Sequence, residues 1–143
     1  ALPIYSIISL KQKTYPGKPT EKIISKPDVV KRILKFLGDK DMMIIMEDVM
    51  DKPKLVSEIL KSCKLPQTSG YRKINQLVEA GLLVISGFII GSDGRQIFRY
   101  STSFDGIAVF FEGKKSKIKI TPKKIGKNSY LPILSKIFYL NLV

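Results

Sequence analysis

The chain has 143 residues, and its 25 Lys and Arg residues outnumber its 12 Asp and Glu residues, which gives a formal net charge of +13. One cysteine and no histidine exclude an intrachain disulfide and leave too few soft ligands for a zinc site within one chain. The missing histidine also removes the commonest general base, and no nucleophile motif or phosphate loop stands out. We therefore expect no metal, no cofactor and no enzymatic activity.

A hydrophobic content of 44% suits a domain with a substantial core. Residues 131–143 form the most apolar stretch, but Pro132, Ser135 and Lys136 interrupt it, so it falls short of the roughly 20 apolar residues of a membrane helix. Residues 2–10 lack the basic start and the small-residue cleavage site of a signal peptide. These features predict a protein without a membrane partner, in the reducing environment of the cytoplasm.

Charge is distributed unevenly along the chain. Residues 1–27 hold five Lys and one Glu, residues 28–112 hold 12 basic and 11 acidic side chains, and residues 113–143 hold eight Lys and no acid. The basic flanks either add nonspecific contacts to a polyanion or serve only to keep the protein soluble. We predict a basic N-terminal extension (1–27), a central domain (28–103) and a C-terminal segment (104–143).

The first two apolar stripes of the chain predict a helical scaffold. One stripe opens near Pro27 and stops at Gly38, and the next opens at Asp39 or Asp41, each with the spacing of an amphipathic helix. Their apolar residues are Val30, Ile33, Leu34, Leu37, Met42, Ile45, Met46, Val49 and Met50. Because the methionines match the core stripe, a core role is favoured over a soft-metal or peptide site.

Two shorter helical segments follow, and they form a helix-turn-helix pattern. The first begins just after Pro53, and the second begins at Pro66 and ends at Gly81, where a left-handed cap requires glycine. Their apolar faces contain Val56, Ile59, Leu60 and Cys63 in the first helix and Tyr71, Ile74, Leu77 and Val78 in the second. We interpret Cys63 as a small core residue rather than a ligand or redox sensor, because it lies on an apolar face.

The second of these helices presents a polar outward face. Gly70 points toward the core at a cost of about 1 kcal/mol relative to alanine, which indicates that the preceding helix approaches closely there. The outward side chains are Thr68, Ser69, Arg72 and Gln76, flanked by Lys73 and Asn75. Such groups suit hydrogen bonding to base edges and phosphates, although a solvated helix face has a similar composition. Only one acid, Glu79, lies on this face, at its end, which favours contact with nucleic acid.

A β-hairpin pattern follows the helices. Residues 82–90 and 96–101 are rich in β-branched and aromatic residues and flank the turn residues 91–94. Arg95 lies beside two glycines at the tip, where a cation meets little steric obstruction in a minor groove. A glycine-rich phosphate loop is the alternative, but no helix starts after this one.

A second hairpin is predicted where residues 107–111 and 117–120 flank residues 113–116. Lysine alternates with isoleucine in the second run, which predicts one buried face and one cationic face. This hairpin either extends the sheet of the first one or mediates contact between subunits.

Residues 55–60, 65–74, 77–82 and 92–100 together resemble the DNA-binding core of archaeal winged helix-turn-helix regulators, broadly the ArsR-like superfamily. The most specific part is the sequence LVEAGL at residues 77–82, and the resemblance covers about a third of the chain. It implies a transcription regulator of double-stranded DNA, usually dimeric, with the helix near residues 66–80 in the major groove. It also implies that the hairpin near residues 91–95 touches the backbone or the minor groove. Metal-sensing members of that superfamily use cysteine clusters or acidic and histidine ligands, and this chain departs from that pattern.

We therefore predict an α+β fold: a winged helix-turn-helix on a helical scaffold, with a β-hairpin wing and an additional C-terminal hairpin and basic extension. The residues expected to contact DNA are Gln67, Thr68, Ser69, Arg72, Lys73, Asn75, Gln76 and Arg95. A homodimer is also expected, because residues 131–142 carry a further apolar stripe that a partner would cover. The stripe consists of Leu131, Leu134, Phe138 and Leu142. The alternative is a nonspecific architectural or RNA-binding winged-helix protein that uses the same basic surface.

Overall fold

The computed structural model describes residues 21–125 and 129–130, with side chains for residues 21–123. These residues form two compact units. The central unit comprises Lys35–Thr102, and the flanking unit comprises the described residues on either side of it. Residues 2–10 and the predicted apolar stripe in residues 131–142 lie outside the described residues.

Helices and antiparallel strands together confirm the predicted α+β class. The helices of the described residues are α1 (Pro27–Leu37), α2 (Lys40–Asp48), α3 (Val56–Ser62) and α4 (Gln67–Glu79). Of the two predicted caps of α2, Asp39 is the one used: its carboxylate accepts a hydrogen bond from the Met42 backbone N–H at 2.9 Å, which satisfies a donor that the first turn leaves unpaired. The residues of α1 up to Leu34 group with the flanking unit, whereas the sequence predicts them in the central domain.

The core of the central unit lies among α2, α3, α4 and the residues that follow α4. Its buried hydrophobic side chains include Met42, Ile45, Met46, Val49, Ile59, Ile74, Leu77, Leu82, Leu83 and Val84. Met42 and Met46 are buried with Ile45, which confirms the core role predicted from their spacing. The apolar periodicity thus fixes which side of each helix faces inward.

A three-stranded antiparallel sheet completes the central unit. Its strands are β2 (Lys54–Leu55), β3 (Leu83–Ile90) and β4 (Gln96–Thr102), and they lie in the order β2-β4-β3. The order α2, β2, α3, α4, β3, β4, with a short turn between α3 and α4, is that of a winged helix-turn-helix domain. The β3–β4 hairpin is its wing.

The start of α3 differs from the prediction. A helix is expected just after Pro53, but the next two residues pair with β4 as strand β2 before the helix begins. The Leu55 N–H then donates a hydrogen bond to the Glu58 carboxylate at 2.9 Å. This contact satisfies a donor that the strand leaves unpaired and marks the start of α3.

The end of α4 is the predicted left-handed glycine cap. Gly81 has a φ of 81°. Its N–H donates to the Val78 carbonyl, and the Leu82 N–H donates to the Leu77 carbonyl, both at 3.0 Å. These two bonds form a Schellman motif, which satisfies the last carbonyls of the helix and directs the chain into β3.

The end of α3 has the same motif, but with lysine in the left-handed position. Lys64 has a φ of 55°, its N–H donates to the Lys61 carbonyl at 3.3 Å, and the Leu65 N–H donates to the Leu60 carbonyl at 3.0 Å. A residue with a Cβ pays roughly 1–2 kcal/mol for this conformation. Nothing in the local sequence indicates this left-handed lysine.

Gly70 lies where α3 and α4 meet. A Cβ at this position would collide with the Leu60 Cδ2 atom on α3 and would lie 3.4 Å from the Leu65 Cβ atom. The prediction that this glycine permits a close approach of the preceding helix is therefore confirmed. The contact sets the spacing of the two helices of the helix-turn-helix.

β3 and β4 form the predicted hairpin around a loop at residues 91–95. Gly94 has a φ of 84° within this loop, as a tight turn requires. The strand register shifts between Ile85 and Phe88, where Gly87 has a φ of 124°. This β-bulge is not predicted by the sequence pattern, and it increases the local twist of the wing.

The flanking unit contains a second antiparallel sheet in the order β1-β6-β5. Its strands are β1 (Lys22–Ile24), β5 (Phe104–Glu112) and β6 (Lys115–Pro122), and β7 (Lys124–Ile125) pairs separately with β8 (Ser129–Tyr130). Ile118 and Ile120 are buried, while Lys117 and Lys119 form ion pairs with carboxylates. The alternation of buried and cationic faces is confirmed. The idea that this hairpin extends the wing sheet is wrong, because β5 and β6 belong to a separate sheet from β3 and β4.

Candidate nucleic-acid interface

The candidate interface consists of the outward side of α4 and the tip of the β3–β4 wing. α4 is oriented so that Gly70, Ile74 and Leu77 are buried. Of the predicted contact residues on this helix, Gln67, Thr68, Arg72 and Asn75 are exposed, and Ser69, Lys73 and Gln76 are half-buried. The helix thus presents most of the predicted polar groups to solvent.

Thr68, Arg72 and Gln76 lie four residues apart and so follow one another along one side of α4. Their side chains have no hydrogen-bond or ion-pair partner among the described residues. The Ser69 hydroxyl, by contrast, lies 3.5 Å from the Pro66 carbonyl oxygen. A guanidinium between a hydroxyl and an amide offers the donors and acceptors that can pair with base edges or phosphates.

Lys73 differs from the other predicted contact residues because it is engaged within the protein. Its ammonium lies 2.9 Å from a carboxylate oxygen of Asp41 and 3.2 Å from both carboxylate oxygens of Asp39. Its side chain is only 17% exposed. Lys73 is therefore paired within the protein, whereas Arg72, its neighbour in the sequence, is exposed.

Electrostatics and hydrogen bonding reinforce one another in this cluster. The pKa of the Asp39 carboxyl is lowered, chiefly by the hydrogen bond from the Met42 N–H; burial opposes this shift, and Lys73 adds to it. The pKa of Lys73 is raised, first by its hydrogen bond to Asp41 and then by Asp39. Asp39 and Lys73 are therefore both charged near neutral pH.

Tyr71 is a candidate contact residue that sequence reasoning missed. The helical stripe predicts it on the core face, yet the tyrosine is 43% exposed. Gly70, Ile74 and Leu77 are the buried positions of α4, and Tyr71 lies beside them at the edge of the buried side. The sequence signal for an exposed Tyr71 is its position at the edge of the apolar stripe, next to Arg72.

Arg95 lies at the tip of the wing, and its side chain is 86% exposed. Its Nε atom is 3.4 Å from an Asp93 carboxylate oxygen that is itself exposed, and such a surface pair contributes little in water. The loop backbone is nevertheless ordered, because the Gly91 N–H donates to the Arg95 carbonyl at 2.8 Å and the Arg95 N–H donates to Asp93 at 3.1 Å. Backbone hydrogen bonds thus define the conformation of the loop, and the loop exposes the Arg95 guanidinium to solvent.

A polar network centred on Asp48 links three elements of the central unit. The Asp48 carboxylate accepts hydrogen bonds from the Lys54 ammonium at 2.8 Å and from the Ser62 hydroxyl at 2.6 Å. Burial raises the pKa of Asp48, but these hydrogen bonds outweigh burial, so the pKa is lowered overall. The network connects the end of α2, strand β2 and the end of α3.

Cys63 is half-buried at the end of α3, where its thiol lies 3.8 Å from the Ile44 carbonyl oxygen. Burial and then the nearby Asp48 carboxylate raise the pKa of the thiol, which keeps it protonated and unreactive. Within the described part of the chain, no three His, Cys, Asp or Glu side chains are grouped so as to hold a metal ion. None of the helices in that part combines the length and apolarity needed to cross a membrane.

Solved structures similar to this chain include two proteins of low sequence identity. NolR from Sinorhizobium fredii is 15% identical, with a TM-score of 0.46 over 55% of this chain and 73% of that one. The homodimeric winged helix-turn-helix DNA-binding domain of Mb0332 from Mycobacterium bovis, a possible ArsR-family transcriptional regulator, is 18% identical, with a TM-score of 0.44 over 55% of this chain and 66% of that one. No protein-family model matches the sequence, and no curated protein matches it. The central unit has the element order and strand pairing of a winged helix-turn-helix independently of these similarities.

Proposed function

We propose that this protein is a transcription regulator that binds double-stranded DNA, with α4 in the major groove and the wing tip on the backbone or in the minor groove. The observation that carries the proposal is the exposed Arg72 guanidinium, which has no partner among the described residues and lies between Thr68 and Gln76 along α4. A helix is about 10–12 Å across with its side chains, which matches the width of a major groove, about 12 Å. Arg72, Thr68 and Gln76 are the side chains proposed to reach the bases.

The other contacts are proposed to position the protein on the duplex. Gln67, Ser69 and Asn75 border the reading side of α4, and Tyr71 offers a hydroxyl beside Arg72. Hydroxyl and amide groups in such places typically bind phosphate oxygens. Arg95 adds a cation at the wing tip, where a guanidinium favours a narrow minor groove or a phosphate.

The net charge of +13 supports a polyanion as the partner. Each phosphate neutralised by a cation contributes a slope of about −0.9 to the logarithm of affinity against the logarithm of salt concentration. The excess of lysine lies mainly outside residues 28–112, which favours a second function: architectural or RNA binding that depends on charge and ignores sequence. The two functions differ in whether α4 reads bases.

The test is selection of duplexes from a random-sequence pool by the full chain. Affinity is then measured for the enriched duplex, called the selected duplex, and for a shuffled duplex of the same composition. We expect a single motif and a preference for the selected duplex of about 10³-fold or more. Equal binding to both duplexes, or tighter binding to single-stranded RNA, supports the second function, and absence of binding to any of them contradicts both.

The proposed homodimer is tested in the same experiment. A dimer with two-fold symmetry should select two inverted half-sites about one helical turn, or 34 Å, apart. Sedimentation of the full chain with and without the selected duplex gives the number of copies bound. A single half-site bound by one copy contradicts the dimer.

A further inference from the structure

Lys73 connects α4 to the start of α2, two elements that are distant in the sequence. Its ammonium contacts both Asp39, the residue that caps α2, and Asp41 in the first turn of α2. Asp39 is itself held in place by the hydrogen bond from the Met42 N–H. Lys73 therefore contacts a carboxylate that is hydrogen-bonded to the backbone of α2. Because that carboxylate cannot move freely with the lysine, the contact restrains α4 relative to α2.

The charge balance of this cluster argues against a phosphate contact by Lys73. One ammonium faces two carboxylates, and the positive end of the α2 dipole stabilises the second carboxylate. A phosphate that approached Lys73 would also approach both carboxylates and be repelled by them. Arg72 has no such neighbours, so adjacent cations on α4 have opposite environments.

The contact also constrains the orientation of α4. Lys73 lies on one flank of the helix, between the buried side that contains Ile74 and the outward side that contains Arg72 and Gln76. A rotation of α4 about its axis would lengthen the contacts of Lys73 with α2 and would move Arg72 and Gln76 together. Gly70, Ile74 and Leu77 set which side of α4 faces the core, and the contacts of Lys73 with Asp39 and Asp41 limit the rotation that remains.

We propose that Lys73 is a positioning residue: through Asp39 and Asp41 it fixes the orientation of α4 relative to α2, and so determines which side chains reach the bases, without contacting DNA itself. The part of this inference that concerns bases rests on the proposed function. The part that concerns the orientation of α4 is a property of the free protein and is tested without DNA.

The experiment compares the full chain with three variants. Lys73→Met removes the ammonium but keeps an unbranched apolar stem, and Lys73→Arg keeps a cation able to pair with both carboxylates. Lys52→Met is the matched control, because Lys52 is exposed and has no ion-pair partner among the described residues. Residual dipolar couplings of backbone N–H groups, recorded without DNA, give the orientation of α4 relative to α2. Salt titrations with the selected and shuffled duplexes give affinities and slopes.

We expect Lys73→Met to change the orientation of α4 and to reduce the preference for the selected duplex about tenfold, which is about 1.4 kcal/mol. The salt slope should stay unchanged, Lys73→Arg should restore both the orientation and most of the preference, and Lys52→Met should change neither. An unchanged orientation in Lys73→Met overturns the proposal. So does an equal loss on both duplexes with a salt slope that falls by about 0.9, which indicates a phosphate contact. If the wild-type chain shows no preference between duplexes, the proposed function fails, and the dipolar couplings still decide whether Lys73 orients α4.

Discussion

Replacing Gly70 by alanine tests the packing that holds the helix-turn-helix together. The new methyl group would collide with the Leu60 Cδ2 atom, so either the leucine must rotate or α3 must move away from α4. Overpacking of this kind costs about 1–3 kcal/mol, whereas alanine gains about 1 kcal/mol over glycine from helix propensity. The net expectation is a loss of about 0–2 kcal/mol in the free energy of unfolding. Because this range includes zero, Gly70→Ala alone does not separate overpacking from helix propensity.

A double-mutant cycle with Leu60→Ala separates the two effects. Leu60→Ala removes the atoms that the new methyl group would strike, so in that background Gly70→Ala should increase the free energy of unfolding by about 1 kcal/mol. The coupling between the two sites should therefore be about 1–3 kcal/mol. Urea denaturation followed by far-UV circular dichroism, which reports α3 and α4, measures all four proteins. An equal effect of Gly70→Ala in both backgrounds would refute the idea that close approach of Leu60 requires glycine.

Three further predictions follow from the structure. Lys64→Gly should increase the free energy of unfolding by about 1 kcal/mol in urea denaturation, because glycine adopts the left-handed conformation without strain; a loss of stability would show that the lysine side chain stabilises the turn. Asp39→Asn keeps a capping residue but removes the charge that Lys73 contacts. The pKa of Asp39 is lowered in the folded protein, so its charge stabilises the fold above about pH 4, and this contribution disappears as the pH falls through the folded pKa. The stability difference between wild type and Asp39→Asn should thus be constant from about pH 5 to 8 and vanish in acid, and a difference that persists at low pH contradicts a stabilising role of the Asp39 charge. Arg95→Ala should weaken binding to selected and shuffled duplexes alike and reduce the magnitude of the salt slope by about 0.9, whereas a loss confined to the selected duplex would show that the wing reads bases.

Local chemistry made the helix-turn-helix and the wing predictable from the sequence. Pro66 and Gly81 mark the two ends of α4, since one sets the backbone for a helix start and the other adopts the cap conformation. The glycines at residues 91–94 likewise locate the turn of the wing. Each of these signals acts within a few residues of the feature it determines, which is why a single sequence suffices.

Features that depend on contacts between distant segments were not predictable in the same way. Strand β2 has only two residues, too few for a periodic pattern, and it exists because β4 lies beside it. Lys73 looked like an outward cation because the helical wheel does not show Asp39 and Asp41, more than 30 residues earlier. Tyr71 lies on the apolar stripe, but whether a side chain at the edge of a stripe is buried depends on the packing around the helix. Lys73 and Tyr71 are therefore the residues whose place in the candidate interface differs most from the sequence prediction.

The most direct test of the account is binding of Arg72→Ala and Arg72→Lys to the selected and shuffled duplexes. Both variants must first show wild-type thermal stability, since the arginine stem can contribute to packing. Arg72→Ala should lose about 1–3 kcal/mol on the selected duplex and much less on the shuffled one. Arg72→Lys keeps the charge but not the planar fork, so it should lose preference for the selected duplex while retaining the wild-type affinity for the shuffled one. If Arg72→Ala instead weakens binding to both duplexes equally, α4 does not read bases, and charge-dependent architectural or RNA binding becomes the better account.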